Sequence, residues 1–122
     1  MDGDANTGLT WDDVRRLAME LPGAEEGTSY RTPAMKVRGK LFARLKEDGE
    51  TVVLRVNFHE RALLLEAEPD VFYITDHYRD YPDVLVRLPA VSEEVMRARL
   101  EDSWRLVAPP KLVAQLDAAP RD

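Results

Sequence analysis

The chain has 122 residues, 44% hydrophobic and 33% charged, a size and balance that call for one self-sufficient core and lie outside the regime of disorder. It has no cysteine and only two histidines, His59 and His77, so disulfides, thiolate nucleophiles, zinc–thiolate sites and histidine-rich metal sites are excluded together. Its net charge of −6 runs against a dedicated high-affinity nucleic-acid binder, and no apolar run approaches the roughly 20 residues that cross a bilayer.

Residues 1–8 read as a polar tail with neither a basic nor an apolar signal region, which points to a cytoplasmic protein. A single domain is expected over residues 9–117, with a second tail over 118–122. Thr10 is placed to cap a first helix, with Asp13 three residues on and Leu9 and Val14 as a hydrophobic staple. Trp11, Val14, Leu17, Ala18 and Leu21 share one face of that helix, and Pro22-Gly23 ends it. Three strands follow, Ala34 to Val37, Lys40 to Leu45 and Thr51 to Val56, separated by Arg38-Gly39 and by the turn-rich Glu47 to Glu50. A three-residue first turn that includes Lys40 pairs Val37 with Leu41. That register sets Met35, Val37, Leu41, Ala43 and Leu45 on one core face and turns Lys36, Phe42, Arg44 and Lys46 outward together.

Asn57 with Glu60 opens a short helix to about Ala67. Val71 to Thr75 and Val84 to Leu88 are the next strands, joined by a long aromatic loop, Asp76 to Asp83. Ser92 caps a longer helix with Met96, Leu100, Trp104 and Val107 on one stripe, and Trp104 reads as a core residue. Pro109-Pro110 breaks it and starts a last helix carrying Leu112, Val113 and Leu116. The order α-βββ-α-ββ-α-α predicts an α+β domain, an antiparallel sheet with helices on one face.

Several blocks together resemble the MmcQ/YjbR family of small bacterial proteins. They are Leu21-Pro22-Gly23 with Glu25-Glu26, Thr32 to Val37 leading into Gly39 to Ala43, the loop with His77-Tyr78 and Tyr81-Pro82, and Asp102 to Pro109. The resemblance covers roughly residues 9 to 117. It implies a fold like that of type III secretion chaperones, also compared with frataxin-like folds, and a DNA-binding label argued from paired hairpin wings. It carries no established enzymatic activity.

The clearest charge feature lies between Tyr30 and Glu47. Six basic residues, Arg31, Lys36, Arg38, Lys40, Arg44 and Lys46, stand there with no acidic one, leaving −12 on the remainder of the chain. Clustered charge of this kind marks a binding surface. Lys36, Arg38, Lys40, Arg44 and Lys46 are candidates to meet phosphates, with Phe42 to stack or wedge; the bland alternative is a solvated outer sheet face. In the Asp76 to Asp83 loop, His77, Tyr78 and Tyr81 are candidates for a ligand pocket, with Asp76, Asp80 and Asp83 flanking them. Structural anchoring of the loop by its aromatics is the competing reading. Nothing assembles a catalytic set: Ser29 lacks the nucleophile-elbow context, no glycine loop cradles phosphate, and no cofactor or metal site is indicated. The leading expectation is therefore a non-catalytic binding module that touches DNA weakly through the basic hairpin. A protein-interaction or chaperone-like module, as monomer or homodimer, is the alternative, and a small-molecule site at His77, Tyr78 and Tyr81 is the third.

Overall fold

The structure, a computed structural model, describes residues 8–119. The expected end segments 1–8 and 118–122 lie outside the described residues except for Gly8, Ala118 and Ala119. Helix α1 (Trp11–Ala18) begins with the expected capping box: Thr10 Oγ1 accepts from the Asp13 backbone, and the Asp13 carboxylate accepts from Thr10 N–H at 2.9 Å. Gly8 is not loose chain. Its φ is +69°, and a Cβ there would meet Leu88 O at 2.3 Å, so the backbone passes too close to the end of the sheet for any other residue.

Six strands form one antiparallel sheet. They are β1 (Ala24–Ser29), β2 (Thr32–Val37), β3 (Lys40–Leu45), β4 (Thr51–Arg55), β5 (Phe72–Tyr73) and β6 (Asp83–Arg87), arranged β1-β2-β3-β4-β6-β5. Strand β1 is the addition to the expected order, which becomes α-ββββ-α-ββ-α-α. Its sequence, Ala-Glu-Glu-Gly-Thr-Ser, lacks the apolar alternation that signals a strand, because it is an edge strand paired only to β2.

The first expected register is corrected. Val37 pairs with Lys40 across a two-residue Arg38-Gly39 turn with φ of +52° and +80°, and Lys36 pairs with Leu41. A bulge then places Met35 opposite Ala43, leaving Phe42 as the extra residue of β3. The bulge breaks strict alternation, so Phe42 and Ala43 both enter the core while Leu41 stays on the other face. Phe42 is 1% exposed and presents no ring for stacking.

Helix α2 (Phe58–Ala67) is capped by Asn57, whose Oδ1 accepts from Glu60 N–H at 2.7 Å. Helix α3 (Glu93–Val107) is capped by Ser92 and lies across β3 and β4, with α1 packed on it. Trp104, fully buried on α3 as its stripe predicts, donates from Nε1 to Pro22 O at 3.0 Å and so ties α3 to the segment leading into β1. Helix α4 (Pro110–Ala118) completes the layer, with Leu112 against Gly23. Met35, Val37, Phe42, Val52, Leu54, Val86, Met96, Leu100 and Trp104 fill the space between sheet and helices.

Candidate functional site: a cleft on the open face of the sheet

The sheet face turned away from α3 is covered only in part. The segment from Asp76 to Tyr81, which opens with a 3-10 turn over Asp76–Tyr78, folds back across it and seats the Tyr78 ring on Val53 and Leu85. One buried cation holds this segment in place. Arg61 of α2 donates from Nη1 to Tyr78 O, Tyr81 O and Asp83 O at 3.0, 2.8 and 3.2 Å, and from Nη2 to Arg79 O at 2.8 Å. A guanidinium suits the task because its fixed fork of donors satisfies several convergent carbonyls that would otherwise be buried without partners. Its flank rests on the Phe58 ring, 4.8 Å from the centroid.

Between this loop, β3, β4 and the β1–β2 turn lies an open cleft of about 540 Å³. Arg44 joins its two sides: Nη2 donates to Tyr78 Oη at 3.0 Å, and the guanidinium stands 5.1 Å from the centroid of the Tyr30 ring. Nη1 donates to Thr32 Oγ1 at 3.2 Å and to Glu47 Oε2 at 3.4 Å, so this buried charge is fully occupied. Leu41 and Val53 supply apolar surface, and His77 and Tyr81 line the rim with ring centroids 5.8 Å apart. Arg55 pairs with Asp83 at 3.2 Å. Burial nonetheless dominates at Asp83 and pushes its carboxyl above the ordinary range, against the pull of Arg55, Arg61 and Arg44. With Arg44, Lys46 and Arg55 against Glu47 and Asp83, the lining carries +1 with His77 neutral, in a chain of −6.

The two stretches singled out in the sequence thus meet. Arg44 and Lys46 line the same cleft as His77, Tyr78 and Tyr81. Lys36 points to the open face as well, laid over Gly27 and paired in register with Glu25. Arg38 and Lys40 are exposed at the hairpin tip, away from the cleft. Asp76 is paired with Arg79 at 2.6 Å and Asp83 with Arg55, so the loop carboxylates do not converge on His77. Among the described residues no group of three His, Asp or Glu side chains is placed to hold a metal ion. Tyr30, Arg55 and Arg61 were not legible as site residues, since each reaches its place through a long-range pairing. A buried arginine in a helix otherwise lined with leucines is the one local sign that Arg61 gives.

The comparisons agree with this architecture. The YjbR family model matches residues 19–106. The uncharacterised proteins Mb2600 of Mycobacterium bovis and Rv2570 of Mycobacterium tuberculosis are each 29% identical over 119 residues, covering 85% of this chain and 92% of their own. The crystal structure of Deinococcus radiodurans protein DR2400, with family-model domain DUF419, superposes with a TM-score of 0.70 at 24% identity, over 90% of this chain and 89% of that one. No helix among the described residues is long and apolar enough to cross a membrane. With the match spanning most of its length and the same fold in that neighbour, the chain belongs to the YjbR family.

Proposed function

We propose that the chain is a non-catalytic binding module whose site is the open-face cleft, and that its ligand is a small molecule. One observation carries this reading: the bond from Arg44 Nη2 to Tyr78 Oη at 3.0 Å brings the basic strand and the aromatic loop to a single concave surface. A cleft with an apolar floor and a few converging polar groups is the usual form of such a site. A thermal-shift screen of a metabolite library tests it. Ligands that raise the melting temperature of the parent, and lose that effect in both His77→Ala and Lys46→Glu, are the expected result. Hits that persist unchanged in both variants, or no hit at all, would overturn it.

Nucleic acid is a second reading, favoured by the exposed Arg38 and Lys40 at the β2–β3 tip with Lys36 behind them. It is confined to these three cations, because Phe42 is in the core and Arg44 is committed within the cleft.

A further inference from the structure

We infer that the cleft selects a small planar aromatic anion, a class represented by a nucleoside monophosphate or an aromatic carboxylate. The inference rests on the cleft being the ligand site and adds what the ligand must look like.

Ring recognition follows from the rim. Tyr30 is 80% exposed and Tyr81 53% exposed, and both border the cleft with His77. Exposed rings beside an apolar floor of Leu41 and Val53 gain most by stacking on another flat ring. The backbone at Tyr30 sets where that ring stands. Tyr30 and Arg31 form the β1–β2 turn with φ of +53° and +70°, the left-handed region that side chains other than Gly, Asn and Asp avoid. The β1–β2 ladder that the turn closes offsets that cost, and the ring itself stays exposed with the Arg44 guanidinium 5.1 Å from its centroid. A two-residue hairpin turn of this type requires positive φ at both central positions, and this one carries the exposed Tyr30 ring to the edge of the cleft.

Anion recognition follows from the charges. Glu47 is paired with Arg44 and Asp83 with Arg55. The Lys46 ammonium, half-buried on the cleft wall, makes no side-chain hydrogen bond or salt bridge among the described residues; Glu47 and Asp48 feel its charge from nearby, and both are already engaged, Glu47 by Arg44 and Asp48 by Thr51. One cation whose ammonium touches no carboxylate, beside two aromatic walls, fits a ligand with one acidic group and one ring. The cleft's volume of about 540 Å³ lies within the range that holds such molecules.

Amide chemical-shift titration of the full chain tests this with adenosine monophosphate, adenosine, ribose 5-phosphate and indole-3-carboxylate. The expected result is that one or both aromatic anions shift the amides of Tyr30, Arg44 to Glu47 and His77 to Tyr81, and bind at least about ten-fold more tightly than adenosine and ribose 5-phosphate. A response to the nucleotide alone, or to the carboxylate alone, supports the class and identifies the acidic group. Tyr30→Ala and Lys46→Gln, both at accessible positions, should each weaken the anion by about ten-fold, and Lys46→Gln should leave adenosine unchanged. Ribose 5-phosphate or adenosine binding within about ten-fold of the affinity of the aromatic anions would overturn the inference. A mixed fragment library separates the two levels: fragments of another class shifting the cleft amides, with both aromatic anions silent, overturn the ligand class and leave the cleft as the site. Silence of the cleft towards every compound overturns both.

Discussion

Arg61 fixes the outer wall of the cleft with a single side chain. Replacing it with leucine leaves the carbonyls of Tyr78, Arg79, Tyr81 and Asp83 to find water or go unpaired, and we expect a loss of about 3 kcal/mol by chemical denaturation. Amide exchange over residues 79–83 should quicken more than exchange in β3 or α3, since the damage is local. Arg61→Lys should fail to restore protection because an ammonium cannot reproduce the fork. Asp83 gives a prediction with a definite sign. Burial raises its carboxyl above the unfolded value, so the folded state holds the proton more tightly than the unfolded chain does. Its contribution to stability is present at low pH and is lost as pH rises through the folded value. Asp83→Asn, which does not titrate, should therefore gain melting temperature relative to the parent as pH rises from the ordinary carboxylate range towards neutrality. A difference that stays constant or shrinks with rising pH would contradict the assignment.

Among the elements, the β2–β3 hairpin separates what local pattern can and cannot specify. Phe42→Ala should destabilise the protein by about 3–5 kcal/mol, the range for removing a large buried ring; a loss below about 0.5 kcal/mol would return Phe42 to the outer face. Helices α1, α2 and α3 were legible because Thr10, Asn57 and Ser92 are caps that act within one turn of chain. The position of the turn at Arg38-Gly39 was legible too, through its glycine, but its two-residue length was not, since the expected turn included Lys40. The inserted residue at Phe42 was not, because a bulge leaves no local signature and is chosen by what the core can accommodate. Strand β1 was hidden for a related reason: hydrogen bonds to β2 and a turn without glycine define it, and neither shows as hydrophobic period. The site followed the same division. His77, Tyr78 and Tyr81 stood out as an aromatic loop, whereas their meeting with Arg44 required a fold-back over β4 that no spacing encodes.

For the molecule as a whole, sequence order anticipated the α+β class and the helices stacked on one sheet face, and those helices leave the opposite face for the cleft. The charge cluster is divided by that architecture. Arg44 and Lys46 belong to the cleft, while Arg38 and Lys40 stand at the hairpin tip with Lys36 on the strand behind. If duplex DNA is held there by about three phosphate contacts, log affinity should fall with log salt at a slope near −2.7, about 40-fold between roughly 50 and 200 mM. Anisotropy with Arg38→Glu/Lys40→Glu should show no binding, and binding that survives in that variant would remove the hairpin tip from consideration. The sheet also sorts the chromophores. Both indoles, Trp11 and Trp104, belong to the helical side, and all four phenols, Tyr30, Tyr73, Tyr78 and Tyr81, belong to the cleft side. Indole emission, excited at wavelengths where phenols do not absorb, consequently follows the melting of the core from the side of the sheet that no cleft ligand touches, so loss of the fold can be watched without a label and apart from direct contact with the ligand.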